Sequence, residues 1–251
     1  MSISNLVQTA ISFLVQPSKR RLIRIARSFS GRKGLEIGGP SSLFGIRGYC
    51  PVYIFAAGID GVNFSNETVW EGRLVEGNNF AYIPGKAGYQ FIAEATALSK
   101  INDSAYDFIL SCHSLEHVAN PIKALNEWKR VLKPMGRLVL VLPDKENTFD
   151  YNRPYTTLDH LIADFKKNID ESDSTHFDET IQLHDLTRDT GVQSKAELEE
   201  RTLNNLMNRC VHHHVFSLTM VKELLEHCGF EVTHQQKGIP FHLITVAKKV
   251  D

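Results

Sequence analysis

The chain has 251 residues, of which 42% are hydrophobic and 23% are charged, so it can bury one substantial core as a single α/β domain with an insertion. A formal net charge of -1 argues against a dedicated nucleic-acid binder, which would carry a large excess of positive charge, and no nucleic-acid partner is expected. Four widely spaced cysteines without a CxxC pair indicate neither a zinc knuckle nor a disulfide framework, and they favour a reducing cytoplasm.

A basic helical arm is predicted over residues 1–33. This segment has seven Lys and Arg residues and no Asp or Glu, giving +7, whereas the remaining 21 basic and 29 acidic residues give the rest of the chain -8. Apolar residues at helical spacing on either side of Pro17 predict two short helices. Two interpretations stay open: a helical lid packed on the domain edge, or a basic amphipathic helix in weak contact with an anionic membrane.

Neither a secretory signal nor a membrane-spanning helix is indicated. The positive charge of the first residues follows their apolar stretch instead of preceding it, which reverses the order found in signal peptides. No uninterrupted apolar run approaches the roughly 20 residues that a membrane helix needs. We therefore expect a soluble, cytoplasmic protein.

Short apolar runs separated by polar helical segments begin at Gly34, a pattern typical of a parallel sheet covered on both faces. The segment ANPIKALNEWKRVLKPMG has one apolar helical face and ends at Pro134 and Gly136, so it predicts a helix between two strands. FSLTMVKELLEHCGF predicts a helix from Ser217 to Gly229 that precedes an antiparallel hairpin. The predicted strands are residues 35–37, 59–64, 108–111, 137–142, 230–233 and 241–247.

The segment from about residue 144 to 210 has no strand-like run and is rich in His, Asp and Glu. We interpret it as a helical cap inserted into the domain. Its histidines and acids, with the triplet HHH that follows, offer enough ligands for a metal ion, but they lack a tight repeated spacing such as HExxH. The sequence therefore predicts no metal site.

The loop GLEIGGPSSLF places a glycine pair directly after a short buried strand, where the backbone can approach a ligand closely. A dinucleotide-binding fold would require G-x-G-x-x-G leading into a helix, whereas Pro40, Ser41 and Ser42 follow here. A nicotinamide cofactor is therefore poorly supported.

With Glu36, Gly38 and Gly39, this loop resembles the first motif of class I S-adenosylmethionine-dependent methyltransferases. The stretches FIAEATALSKINDSAYDFILSCHSLEHVANP and RVLKPMGRLVLVLP resemble the family's fourth and fifth strands with their neighbouring segments, and HHHVFSLTMVKELLEHCGFEV resembles its later helix and sixth strand. The resemblance covers well over half the chain. It implies a type 11-like methyltransferase domain over residues 34–251, with a Rossmann-like, seven-stranded, mostly parallel doubly wound sheet, an antiparallel C-terminal hairpin and the helical cap insertion.

The resemblance also implies S-adenosylmethionine as the cofactor. The acidic residue that ends the family's second strand and binds the ribose hydroxyls is replaced here by Asn63, with Asp60 as the alternative. A neutral side chain should bind a hydroxyl less strongly than a charged one does. The cofactor-binding residues that we expect are Glu36, Gly38, Gly39, Asn63, Glu94, Ala95 and Ser111.

Methyl transfer from a sulfonium requires positioning of donor and acceptor and removal of a proton from the nucleophile. His113, just after the fourth strand, and His213, in the middle of the HHH triplet, are the predicted catalytic bases. At most two of the three histidines of an extended HHH can face one pocket. Residues 153–161 and 208–216 are the expected lining for the acceptor.

The predicted function is O-methylation of a small polar or glycan-type acceptor, because His, Arg, Asp and Tyr in the expected lining suit a hydroxyl-rich ligand. A non-catalytic cofactor-binding or scaffold module is one alternative, and a histidine-rich, metal-assisted hydrolase is another. The sequence indicates neither the identity of the acceptor nor the oligomeric state.

Overall fold

An eight-stranded sheet lies at the centre of the computed structural model, which describes residues 19–250. The sheet order is β5-β6-β2-β1-β7-β8-β10-β9, and β3 pairs with β4 in a separate two-stranded sheet. The strands are β1 (Lys33–Ile37), β2 (Gly58–Asn63), β3 (Glu67–Thr68), β4 (Gly72–Arg73), β5 (Gly77–Ile83), β6 (Lys86–Ile92), β7 (Tyr106–Cys112), β8 (Leu132–Pro143), β9 (Phe230–Gly238) and β10 (His242–Lys249).

The predicted fold class is confirmed. Strands β6, β2, β1, β7 and β8 run parallel to one another. Strand β10 pairs antiparallel with β8 and also with β9, with which it forms the C-terminal hairpin. The sheet has one strand more than the seven expected, because β5 adds antiparallel to β6 at the edge. An antiparallel edge strand on an otherwise parallel sheet is common in α/β folds.

The helices lie before, between and after these strands. Two of them are capped by side chains: the Asn120 side chain accepts a hydrogen bond from Lys123 N, and the Ser217 side chain, at the start that the sequence predicted for its helix, accepts one from Met220 N. The helices are α1 (Arg20–Arg27), α2 (Val52–Phe55), α3 (Pro121–Val131), α4 (Leu158–Lys166), α5 (Phe177–Leu183), α6 (Lys195–Leu203), α7 (Asn205–Asn208) and α8 (Leu218–His227).

Each face of the sheet supports its own apolar layer, because successive side chains of a strand point to opposite faces. In β7, Ile109 belongs to the layer covered by α3, α4 and α8, which contains the fully buried Trp128. Phe108 belongs to the opposite layer, together with Phe44 and Tyr53, under α1 and α2. The core therefore lies on both sides of the sheet and leaves the carboxyl ends of the parallel strands at one edge.

Helix α1 packs against the sheet as a lid. Its residues Leu22, Ile23 and Ala26 are buried. Phe29, two residues after the helix, has its ring centroid 4.4 Å from that of Phe108. The apolar face that a lipid surface would need is thus buried against the protein. The other predicted helix of the arm lies outside the described residues. Among residues 19–250, no helix is long and apolar enough to cross a membrane.

Helices α4 to α7 and their connecting turns occupy the segment predicted as a cap. Buried ion pairs hold this segment together. Arg153 is 1% exposed, and its Nη1 and Nε atoms lie 2.9 Å from Asp150 Oδ1 and 2.9 Å from Glu179 Oε1. Asp189 accepts from both His184 and Arg201. These contacts join the turns and helices of the cap to one another.

Candidate active site

A cavity of about 670 Å³ opens where β1, β2, β7 and β8 end. Ligand crevices in open α/β sheets lie at this edge, and the volume is in the range of about 300–1,000 Å³ typical of small-molecule sites. One part of its wall comes from the loops after β1, β2 and β6, and another from the segment after β7 and from the cap. Among the residues on this wall are Gly38, Asn63, Glu94, Ala95, Trp70, His113, Glu116, His117, Phe149, Arg188, Arg209 and His212.

The glycine pair after β1 is required by the protein's own atoms. Gly38 is exposed on the cavity wall with φ of +75°, and a Cβ atom there would lie 2.2 Å from Ser114 Oγ. Gly39 is buried, and a Cβ atom on it would lie 2.2 Å from Glu36 Cδ. Gly38 thus offers backbone to the cavity, while Gly39 lets the loop close on the strand behind it.

Glu36 lies behind this loop and not on the cavity wall. Its side chain is fully buried, Oε2 accepts a 2.6 Å hydrogen bond from the Tyr53 hydroxyl, and Oε1 accepts a 2.9 Å hydrogen bond from Ser41 N. Burial raises the pKa of Glu36 to about 8. These contacts hold the loop after β1 in place.

Asn63 and Asp60, the two alternatives for the ribose contact, lie in different places. Asn63 ends β2 on the cavity wall, and its Nδ2 donates to Gly39 O at 3.1 Å. Asp60 faces a different cavity, where its Oδ2 accepts from the Tyr106 hydroxyl at 2.7 Å and lies 2.7 Å from Lys33 Nζ. Only Asn63 is placed where a ligand of the larger cavity can reach it.

The other expected cofactor residues divide between the wall and the interior. Glu94 and Ala95 line the cavity, and Arg209 Nη2 donates to Glu94 Oε1 at 2.7 Å. Ser111 has no exposed surface, and its neighbour Cys112 is the residue of β7 that lines the cavity. The Ser111 side chain does not reach the cavity, because it points to the opposite face of the sheet from that of Cys112.

His113 lies on the cavity wall at the end of β7, with φ of +51°. Its Nε2 atom is 2.9 Å from His242 Nδ1, and its Nδ1 atom is 3.5 Å from Glu116 Oε1. Both ring nitrogens therefore face protein groups. This arrangement suits His113 to holding Glu116 and the cavity wall in place.

His213 lies outside the cavity. It is fully buried, its Nε2 atom is 3.2 Å from Asn205 Nδ2, and its backbone N–H donates to Glu116 O. Burial lowers the pKa of His213 to about 3, so the ring is neutral near pH 7. His213 was expected to act as a base because it would face the acceptor, but its ring does not line the cavity.

His212 takes the place on the wall that was expected for His213. Its Nδ1 atom is hydrogen-bonded to Asp150 Oδ2 at 2.5 Å, and Asp150 in turn is held by Arg153. Burial acts to lower the pKa of His212, but the Asp150 carboxylate offsets this effect, so the pKa lies above its ordinary value. Nε2 is the ring nitrogen left for a ligand. The triplet HHH signalled this residue, but not which of its members would face the cavity.

His117 completes this part of the wall. Its Nδ1 atom is 3.2 Å from Val211 O, and its ring lies 4.6 Å from that of His212 and 5.2 Å from that of Trp70. Burial lowers the pKa of His117 to about 4, so this ring is neutral at physiological pH. Neutral and protonatable imidazoles thus lie side by side.

Of the expected acceptor lining, only a small part reaches the cavity. Arg209 and His212 do so, whereas the segment 153–161 contributes no residue to the wall. Arg153 instead supports the wall from behind, because it donates to His212 O at 2.7 Å. Phe149 and Arg188, which the sequence did not single out, are among the other cap residues on the wall.

Comparison with known proteins assigns the family. Residues 20–235 match the methyltransferase domain family. A protein of Bacillus halodurans shares the fold at 12% identity and a TM-score of 0.53, with 94% of this chain and 100% of that chain covered. An S-adenosylmethionine-dependent methyltransferase of Mesorhizobium loti does so at 14% identity and 0.52, with 93% and 96% covered.

Two further proteins resemble this chain, one in fold over most of its length and one in sequence over a short segment. The 1,6-didemethyltoxoflavin-N1-methyltransferase of Burkholderia thailandensis, solved with 1,6-didemethyltoxoflavin and S-adenosylhomocysteine, is 13% identical with a TM-score of 0.52, and 94% of this chain and 78% of that chain are covered. An uncharacterized protein of Methanocaldococcus jannaschii is 37% identical over 84 residues, which are 30% of this chain and 36% of that protein. The chain thus matches about a third of the length of that curated relative.

The residues on the cavity wall fit S-adenosylmethionine. Gly38 presents bare backbone at the end of β1, and Asn63 uses Nδ2 within the protein, which leaves its Oδ1 to accept from a hydroxyl. Both lie in a cavity of suitable size at the carboxyl edge of the sheet. The chain belongs to the methyltransferase domain family, and it shares its fold with S-adenosylmethionine-dependent methyltransferases.

Proposed function

We propose that the protein transfers a methyl group from S-adenosylmethionine to a hydroxyl of a small polar or glycan-type acceptor, with His212 as the base. The observation that carries this proposal is the His212–Asp150 pair on the wall of the cavity that also contains Gly38 and Asn63. A histidine oriented by a buried carboxylate is an arrangement that favours proton removal from a hydroxyl.

The cofactor, when bound, supplies an electrophilic methyl group on a positively charged sulfur. The protein's part is to hold the acceptor oxygen in line and to take its proton. His212 Nε2 accepts that proton, and Asp150 stabilises the imidazolium that results, since it already accepts from Nδ1. Arg153 keeps the Asp150 carboxylate ionised and fixed.

The cofactor contacts are assigned in the same way. Gly38, Asn63, Glu94 and Ala95 lie on the wall and are the contacts that we propose. Glu36, Gly39 and Ser111 act from behind the wall, by shaping the loop and the strand. A cytoplasmic enzyme is part of this proposal, because the four cysteines are free, as a reducing compartment would keep them.

A polar acceptor is favoured by the cap side of the cavity. Phe149 and Trp70 offer aromatic faces there, while Arg188, His117 and His212 offer polar atoms. Such a mixture suits a ring that carries hydroxyl groups better than a wholly apolar ligand. The Burkholderia enzyme named above is an N1-methyltransferase, so a nitrogen acceptor is the second candidate for this site.

Isotope transfer distinguishes these acceptors. The protein is incubated with methyl-labelled S-adenosylmethionine and a panel of monosaccharides, nucleotide sugars and heterocyclic amines, and the position of the label is read by mass spectrometry. Label on a sugar oxygen supports the proposal, and label only on nitrogen contradicts it. Calorimetric titration with S-adenosylmethionine and S-adenosylhomocysteine accompanies the assay, and no binding of either at millimolar concentration would refute the cofactor assignment.

The base is tested with variants assayed on the acceptor that the panel identifies. His212→Ala should lower kcat by about 100- to 10,000-fold, the usual contribution of a positioned general base, with unchanged affinity for S-adenosylhomocysteine. Asp150→Asn should have a smaller effect in the same direction. His234→Ala, in β9, is the matched control. A His212→Ala enzyme with full kcat would assign proton removal to solvent.

A further inference from the structure

Four polar side chains from three segments converge outside the cavity, beneath the cap. His160 and Asp164 lie one turn apart on α4, His176 directly precedes α5, and His214 lies in the extended segment before α8. One ligand atom from each of the four lies within 4.8 Å of the others. Asp164, His176 and His214 are at most 9% exposed, whereas the His160 side chain is 44% exposed, so the group lies at the edge of the protein with three buried members.

Two distances within this cluster are close to those of atoms that share one ion. His160 Nε2 lies 3.0 Å from His176 Nε2 and 3.1 Å from Asp164 Oδ2. Tetrahedral zinc with bonds of about 2.0–2.1 Å holds its ligand atoms roughly 3.3 Å apart. These two separations are close to that value, and all four ligand atoms lie within 4.8 Å of one another.

The outer hydrogen bonds orient two of the rings for metal binding. His214 Nε2 lies 3.2 Å from Ala119 O and must donate to it, which leaves Nδ1 with a lone pair; Nδ1 is buried and has no hydrogen-bond partner among residues 19–250. His176 Nδ1 lies 3.3 Å from Asp173 Oδ2, which leaves Nε2 for the cluster. Metal-binding histidines commonly donate their other ring N–H to a carbonyl or carboxylate in this way.

A second buried atom also has no hydrogen-bond partner in the described chain. Asp164 Oδ2 is shielded from water and accepts no hydrogen bond, although it lies beside His160. An unpartnered buried carboxylate oxygen and an unpartnered imidazole nitrogen are each costly to bury. A cation between them would remove both costs.

We propose that His160 Nε2, Asp164 Oδ2, His176 Nε2 and His214 Nδ1 bind one zinc ion. Three nitrogens and one carboxylate oxygen in a tetrahedral arrangement are a donor set that zinc accepts readily. Four protein ligands leave no open position, which is typical of a structural site and not of a catalytic one. The ion would therefore join α4, the turn before α5 and the segment before α8.

The position of His214 gives this ion a role near the cavity. His214 lies two residues after His212 on the same extended segment, so fixing the one limits the movement of the other. The ion would thus hold the cap and the proposed base in one arrangement. None of the four ligands lines the cavity, so the zinc ion takes no part in the chemical step.

Two other groups with three donors lie nearby and provide a contrast. Glu116, His117 and His212 meet at the cavity wall, and Asp173 with His213 shares His176 with the proposed site. Each has one donor fewer, and His212 in the first group is already engaged by Asp150. Any test must therefore tell the four-ligand cluster from the one in the cavity.

Metal analysis of the untagged full-length protein provides that test. After loading with zinc and exhaustive dialysis, the wild type should retain one zinc ion per chain, and Asp164→Asn and His176→Ala should lose most of it. Glu116→Gln and the control His234→Ala should retain it. Far-UV circular dichroism reports whether each variant is folded.

Cobalt substitution gives a readout on the unaltered chain. Cobalt(II) in the wild type should show the intense visible absorption bands of a tetrahedral site, and a chelator should lower the Tm of the zinc-loaded protein. A wild type that retains no metal would overturn the assignment. So would zinc that is lost in Glu116→Gln but retained in Asp164→Asn and His176→Ala, because the ion would then lie at the cavity.

Discussion

Gly38 and Gly39 are small for two different physical reasons. The sequence predicted small residues here so that a ligand could approach the backbone, but the added atoms of a larger residue would first meet Ser114 and Glu36. Gly38→Val and Gly39→Val should therefore weaken S-adenosylhomocysteine binding at least tenfold and also lower the Tm, because the loop must move. Calorimetry and thermal melts measure the two effects.

The matched control for these glycines is Gly58→Ala at the start of β2. A Cβ atom there would meet nothing within 4 Å, so affinity and Tm should stay unchanged. Full affinity in both valine variants would mean that the loop is only a turn.

Glu36 should make stability fall as the pH rises. Its pKa is about 8 in the folded protein against an ordinary value of 4.5, so between these values the folded state holds a proton that the unfolded state has lost. The free energy of unfolding therefore decreases from about pH 5 to 8 and levels off above, once both states are ionised. Glu36→Gln, which cannot ionise, should become more stable relative to the wild type over that range.

Urea denaturation at several pH values measures this difference. Glu199→Gln, an exposed position on α6, is the control and should follow the wild type at every pH. If the curves of Glu36→Gln and the wild type run parallel, the buried carboxylate is ionised throughout.

Asn63 and Asp60 should respond differently to alanine. Asn63→Ala should raise the Kd for S-adenosylmethionine about fivefold, which corresponds to the roughly 1 kcal/mol net worth of a neutral hydrogen bond. Asp60→Ala should leave the Kd unchanged and lower the Tm, because the Tyr106 hydroxyl loses its acceptor. A higher Kd in the Asp60 variant alone would reverse this assignment.

At the scale of elements, sequence predicts best where the local signal is strong. Helix α3 has a side-chain cap and an apolar face, and β7 and β8 contain the apolar runs FIL and LVLVL. The edge pair β5 and β6 was missed because GNNFAYI and KAGYQFI alternate weakly and contain polar residues and glycine. Their place in the sheet comes from pairing with distant residues, which local pattern does not contain.

The same limit explains what the sequence predicted of the site. Gly38 and His113 directly follow β1 and β7, and Asn63 ends β2, so their place at the carboxyl edge could be predicted from the strand order. Glu94 was expected only from the resemblance, because β6 was missed. His212 could not be chosen from its neighbours, because its facing depends on Asp150, 62 residues away. The four-ligand cluster was missed because α4 and residue 214 meet only in the folded chain.

Helix α1 should contribute to the stability of the whole domain. Leu22 has no exposed surface and belongs to the layer that contains Phe108. Leu22→Ala should therefore lower the free energy of unfolding by about 2–5 kcal/mol, as for other large-to-small core changes. Arg27→Ala on the exposed face is the control in the same urea titration. Equal stability of the two variants would mean that α1 is dispensable for the fold.

At the scale of the whole molecule, the sheet and the cap each form one side of the cavity. The sheet supplies the cofactor side of the cavity through Gly38 and Asn63, and the cap supplies Phe149 and Arg188. Acceptor specificity should therefore vary with the cap while the cofactor contacts stay with the sheet. The predicted boundary of the cap, at about residues 144–210, remains a proposal and omits His212.

The two tryptophans give this arrangement an optical consequence. Trp128 has no exposed surface and lies in the core, whereas Trp70 is 53% exposed on the cavity wall beside His117. Their emission should therefore separate into a short-wavelength and a long-wavelength band. A molecule that enters the cavity removes water from the Trp70 ring alone, so the long-wavelength band reports occupancy without any label. The emission of the Trp70→Phe protein, which comes from Trp128, should not change when the cavity is filled.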